Sequence, residues 1–290
     1  MEMEGDSART PSSRSGSHAE AVRRTIRYMD SRLDRKVDLD ELAAVACMSP
    51  CHYLRVFRGL TGIPPARFLG ILRLQLAKEL LIRTERAVFD IALDVGYTSL
   101  GTFTSRFAQL VGMAPARFRE ACLAVGRNGA GMPAPPPDVR RLSTTCFHGT
   151  IEHRTDDVIL FAGLFTSRIP QDVPLTCALL EGSTRFALAV PDGPGPFHLL
   201  AVALKRVPPE DMLDNRELIA GVCACGPLRP SDTTMPLQLT LRPLDLLDPP
   251  ILVAFPLLMH MRLTAEPEVT FDDGISTTRG MRTATQVATP

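Results

Sequence analysis

The sequence predicts a multi-domain α + β protein: an all-α tandem helix-turn-helix domain joined by a Pro-rich linker to a mainly β, sandwich-like domain. Three observations predict it. The first is an internal repeat. Residues 49–68 (SPCHYLRVFRGLTGIPPARF) and 99–118 (SLGTFTSRFAQLVGMAPARF) align at an offset of 50, so that Tyr53 meets Phe103, Phe57 meets Phe107, Gly62 meets Gly112 and Ala66-Arg67-Phe68 meets Ala116-Arg117-Phe118. The second is a break at 127–139, rich in Gly and Pro. The third is a change of period after that break, from helical spacing to short apolar or alternating runs.

The elements follow in order. Residues 1–18 are polar and Ser-rich and are expected to be disordered. Val22, Ile26, Met29 and Leu33 then recur at helical spacing over 19–34. Asp38 with Glu41 three residues on has the capping-box spacing and opens a helix over 39–46. A tight turn at Cys47-Met48-Ser49 leads to Ser49 as N-cap and Pro50 as first helical residue. The helix 50–60 then buries Tyr53, Val56, Phe57 and Leu60, one stripe at i, i+3, i+4, i+7. A long connector, 65–83, is lined broadly by Phe68, Ile71, Leu72, Leu74, Leu76, Leu80 and Leu81, as suits a helix packed on two sides. The second unit repeats the first, with a helix over 88–95, a turn at Gly96-Tyr97 and a helix over 99–110 buried through Phe103, Phe107 and Leu110. A last helix runs from about 114 to 126. Two short helices joined by a tight turn make a helix-turn-helix, so the two units span about 39–60 and 88–110.

Beyond the linker, 140–263 is expected to be β-rich. Short apolar runs at 158–165, 175–180, 186–190, 197–204, 218–225 and 237–241 are separated by Pro, Gly and Asp. The segment 250–263 reads as a helix or strand covering the sheet, and 264–290 as a flexible tail. Charge divides the same way. Residues 17–128 carry 17 Lys and Arg against 11 Asp and Glu, whereas 129–290 carry 13 against 18, although the whole chain is neutral. A basic first half beside an acidic second half points to nucleic acid for the first only. The seven scattered cysteines, the lack of an apolar core in 1–18 and the lack of a membrane-length apolar run lead to the expectation of a cytoplasmic protein without membrane contact.

Region 20–123 resembles the DNA-binding domain of the AraC/XylS family of bacterial transcription regulators. The resemblance is carried by Asp90-Ile-Ala-Leu-Asp-Val-Gly-Tyr-Thr-Ser-Leu-Gly-Thr-Phe-Thr-Ser-Arg-Phe and by Val-Gly-Met-Ala-Pro-Ala-Arg-Phe-Arg119. One departure stands out: where the family usually has Arg two positions before the second Phe, this chain has Ser105, with the Arg displaced to Arg106. The resemblance implies a sequence-specific regulator, in many relatives an activator, that binds double-stranded promoter DNA and recruits RNA polymerase. The second helix of each unit would enter the major groove.

With 53, 56, 57 and 60 inward, the first unit offers Ser49, Cys51, His52, Leu54, Arg55 and Arg58 to DNA. The second offers Ser99, Leu100, Gly101, Thr102, Thr104, Ser105 and Arg106. Arg55 is the best base reader, because a planar guanidinium meets guanine O6 and N7 together, whereas the short side chains of the second unit suit phosphate contacts. The plainer role for Arg55 is to hold a phosphate or a surface carboxylate. The C-terminal domain would supply control by homodimerisation, by a small-molecule effector or through a partner.

Other readings are weaker. Pro50-Cys51-His52 resembles the nucleophile motif of DNA alkyltransferases, but it opens a recognition helix. Cys47, Cys51 and His52 lack a fourth metal ligand. Cys223 and Cys225, two apart on a strand, share a face and suit a core more often than a metal. The expectation is therefore no catalytic residue, no metal and no cofactor. The alternative is an interaction or DNA-modifying protein whose C-terminal β domain binds a partner or carries an enzymatic role.

Overall fold

The computed structural model describes residues 11–128, 145–205 apart from 155, 170 and 172, 219–254 and 276–279. Seven helices come first: α1 (Pro11–Asp30), α2 (Leu39–Ala46), α3 (Pro50–Thr61), α4 (Pro65–Arg83), α5 (Val88–Asp94), α6 (Leu100–Val111) and α7 (Pro115–Asn128). Among the described residues eight strands follow: β1 (Cys146–Glu152), β2 (Val158–Phe165), β3 (Thr176–Leu180), β4 (Arg185–Ala189), β5 (Phe197–Lys205), β6 (Ile219–Leu228), β7 (Leu237–Thr240) and β8 (Ser276–Arg279).

In the helical half, each unit is built on a stepped column of three rings. Tyr53, Phe57 and Phe68 stand 5.6 and 5.5 Å apart in succession, and Phe103, Phe107 and Phe118 stand 5.7 and 5.6 Å apart. All six rings are buried. Tilted and edge-on contacts of this kind add to the burial of large apolar rings. Within α3 the buried set is Tyr53, Phe57 and Thr61, with Val56 and Leu60 half-buried; in α6 it is Phe103, Phe107 and Val111. The last turn thus buries the residue after the expected leucine in both units.

The β half is layered. A three-stranded sheet, β4-β1-β7, faces a five-stranded sheet, β6-β5-β2-β3-β8. Between them lie Phe147, Ile151, Leu160, Ala162, Leu164, Phe186, Leu188, Leu199 and Ala201. The outer face of the larger sheet is also covered: Ile159, Phe161, Phe165, Leu200, Val202 and Leu204 pack with Ile251 and Val253. Burial on both faces explains why β2 (Val-Ile-Leu-Phe-Ala-Gly-Leu-Phe) is apolar throughout while β1 alternates.

The segment 251–254 serves two cores at once. Ile251 and Val253 face the sheet, whereas Leu252 and Ala254 are buried in the helical core together with Ile169. In the same region Lys78 of α4, only 3% exposed, donates to the Leu252 carbonyl at 3.1 Å. Arg23 of α1 binds the Asp245 carboxylate with two bonds of 3.2 and 2.7 Å, and Arg67 donates to Gln171 at 3.0 Å. The two halves are therefore packed against each other along α1 and α4.

Four expectations need correction. The polar stretch 11–18 is helical, because α1 begins at Pro11 and His18 stacks edge-on against His52 at 5.3 Å. Residues 276–279 of the expected tail form β8, paired antiparallel with β3. Residues 251–254 lie outside helix and strand, being held by side-chain burial on both sides; the rest of that apolar segment, 255–263, lies outside the described residues. Glu41 does not complete a capping box. Its carboxylate turns to Tyr28 and Arg35, which leaves Asp38 alone to accept from the Glu41 N–H at 2.9 Å. The linker expected at 127–139 lies outside the described residues beyond Asn128, as do 1–10.

Candidate nucleic-acid interface

Helix α3 is set up by the turn before it. Cys47 ends α2 in the left-handed region (φ 57°, ψ 43°), and its N–H returns to the carbonyls of Ala43 and Ala44. Pro50 pre-sets the first helical φ, so α3 starts without a side-chain cap from Ser49. In α6 the same position works differently: Ser99 accepts from the Thr102 N–H at 3.2 Å. Both α3 and α6 end on a glycine of positive φ, Gly62 (79°) and Gly112 (94°).

The buried columns turn the opposite face outward. Ser49, Cys51, Leu54, Arg55 and Arg58 are exposed and His52 is half-exposed. The side chains of Arg55 and Arg58 have no hydrogen-bond or ion-pair partner among the described residues. On α6, Ser99, Leu100, Gly101, Thr102, Ser105 and Arg106 are exposed, while Thr104 is half-buried. Arg106 donates to Gln109 on its own helix at 3.2 Å and so lies along the surface rather than projecting from it. The two sets of expected contact residues thus sit on the open faces of two separate helices, at equivalent places in the repeat.

Beside the start of α3 is a cavity of about 460 Å³, lined by His18, Arg24, Cys47, Ser49 and His52 among others. Arg24 is exposed and has no partner among the described residues. Sequence reasoning did not single out His18 and Arg24, because 1–18 read as a disordered tail and 19–34 only as an amphipathic helix. Cys51 does not line the cavity. It stands on the open helix face, which gives a nucleophile no enclosed site. Among the described residues no three His, Cys, Asp or Glu side chains gather as metal ligands. No helix among them is long and apolar enough to cross a membrane.

Two arginines away from the open faces brace the units. Arg73 of α4 donates to the carbonyls of Leu33 and Arg35, at 3.0 and 2.7 Å. Arg119 of α7 donates to those of Leu81 and Arg86, at 2.9 and 2.6 Å. In each case the helix after a unit grips the chain that leads into it. Nearby, burial pushes the Cys122 thiol up to about 12, with Lys78 opposing the shift, so that thiol stays protonated.

The helical half is similar to known proteins. Residues 42–121 match a family described as "Helix-turn-helix domain". The chain is 32% identical over 103 residues to the regulatory protein SoxS of Salmonella typhimurium, a match that covers 36% of this chain and 96% of SoxS. The chain belongs to the AraC/XylS family. Other relatives of this AraC/XylS chain are longer. It is 36% identical over 93 residues to the bifunctional transcriptional activator/DNA repair enzyme AdaA of Bacillus subtilis, covering 32% of this chain and 44% of AdaA. It spans 37% of the probable transcriptional regulator LumQ of Photobacterium leiognathi and 28% of an HTH-type regulator of Haemophilus influenzae. Among solved structures, the DNA-binding domain of AdpA in complex with a target DNA is 30% identical, with a TM-score of 0.34, covering 40% of this chain and 98% of that one.

Proposed function

We propose that the chain is a sequence-specific, DNA-binding regulator of transcription. In this reading α3 and α6 enter successive major-groove segments of promoter DNA. The observation that carries it is the repeated outward face, above all Arg55 and Arg58, which are exposed on α3 with no protein partner among the described residues. A guanidinium held out from a helix in this way meets a guanine edge with two bonds. Family membership supports the same reading.

The helices divide the work. α3 sets most of the sequence preference through Arg55, with Leu54 and Cys51 against thymine methyls. Arg58, Arg24, His18 and His52 lie toward the backbone. α6 offers small side chains and an arginine tied to Gln109, which suit phosphate contact. The chain acts as an activator that recruits RNA polymerase, and the β half supplies control through an effector or a second copy.

The test is selection of the full-length protein on a random duplex library at fixed salt. The expected result is a bipartite motif of two segments about one helical turn apart, with the sharper segment lost in Arg55→Ala. Failure to enrich any sequence, with and without candidate effectors, would sink the reading.

A further inference from the structure

α4 connects the two helix-turn-helix units, but a connector alone leaves the second unit free to turn about its end. Major-groove reading tolerates little of that. One base pair of extra spacing moves a half-site by about 3.4 Å and rotates it by about a tenth of a turn. The structure contains a second link between the units, made by none of the expected contact residues.

That link centres on Arg73, which is half-buried on α4. Its Nε donates to the Leu33 carbonyl and its Nη2 to that of Arg35, gripping the loop that leads into α2. Gly96, the turn of the second unit, closes over the same spot at φ 78°. A Cβ at Gly96 would overlap the Leu33 carbonyl oxygen and stand only 2.7 Å from Arg73 Nη2. The next residue, Tyr97, packs edge-on against Phe103 of α6, with ring centres 5.3 Å apart. A short path therefore runs from the loop before α2, through Arg73 and Gly96, to the second recognition helix.

We propose that Arg73 is a positioning residue for DNA recognition: by seating the Gly96 turn on the Leu33–Arg35 loop, it fixes the separation and phase of α3 and α6. The protein consequently accepts one spacing between its two half-sites. This inference rests on the reading of α3 and α6 as paired recognition helices. Arg119 supplies the contrast, because it makes the same pair of carbonyl bonds, but with Leu81 and Arg86 at the C-terminal end of α4, and none with the loop before α2.

The experiment uses full-length protein and a duplex library carrying the two enriched half-sites with spacers varied one base pair at a time. The parent should favour one spacer by roughly tenfold over its neighbours, the scale of a single mismatched pair. Arg73→Met should flatten that preference toward parity while leaving the base preference inside each half-site unchanged. Gly96→Ala, which wedges the same contact open, should do likewise and carries the test if Arg73→Met fails to fold. Arg73→Lys, whose ammonium grips less than a two-pronged guanidinium, should fall between. Arg119→Met should lower the melting temperature and keep the spacer preference sharp.

A lower melting temperature with unchanged spacer preference in both Arg73→Met and Gly96→Ala would overturn the inference and leave the paired-helix reading standing. Equal blurring in Arg119→Met would also overturn it. A parent protein that enriches no bipartite site would sink the paired-helix reading, and this inference with it.

Discussion

The two helix-turn-helix units share an interior and differ in their faces. Both stack three rings at nearly the same intervals, and both end their second helix on a glycine of positive φ. Outside, one presents Arg55 and Arg58 where the other has Ser105 and Ala108, and the Arg106 of the second pairs with Gln109 on its own helix. Even the helix starts differ, α3 relying on Pro50 and α6 on the Ser99 side chain. Packing tolerates few solutions for a buried ring column, whereas an exposed face is free to vary, so a repeat keeps its core and loses its surface first.

The interior half of that comparison is the costliest to break. Phe57→Ala and Phe107→Ala should each destabilise by about 3–5 kcal/mol, measured by urea unfolding, because each removes the middle ring of a buried column. A markedly smaller loss in one would show that the two columns are not equivalent. The outer faces come next. Arg55→Ala should cost about 1–3 kcal/mol of discrimination at one base position, read from competition binding, whereas Ser105→Ala should cost well under that. Comparable losses would erase the proposed division of labour.

The caps give a smaller and cleaner contrast. Ser99→Ala should lose about 1 kcal/mol in thermal unfolding, while Ser49→Ala, which breaks no side-chain bond, should be close to neutral. Equal losses would mean that α3 is capped after all. Smallest is the turn before α3. Cys47 takes a left-handed conformation without being glycine, so Cys47→Gly should gain up to about 1 kcal/mol in melting experiments. The analogous turn of the second unit already has Gly96 and leaves no such gain.

Much of the helical half is legible because helical periodicity and the 50-residue offset mark the same residues as inward, and what remains on α3 and α6 is the outer face. The braces are not legible. Arg73 and Arg119 bind backbone carbonyls, which leave no trace in side-chain pattern. Lys78 reads as a solvated charge on a helix, and only the Leu252 carbonyl from the other half explains its burial. The run of 250–254 shows that the segment is apolar, yet its alternation serves two different cores, and a one-dimensional pattern cannot say whose. The start of α1 was missed for a related reason: its support is the His18–His52 contact between distant stretches of chain.

That shared layer has a consequence for how genetics would see this protein. Leu252, with no exposed surface, is as much a part of the helical core as Phe57, although it lies far beyond the recognition helices in the chain. Substitutions there would arise in a screen for lost DNA binding beside those in α3 itself. A map of such alleles would cross the boundary between the halves, and the gene would not divide into one cistron segment for reading and another for control.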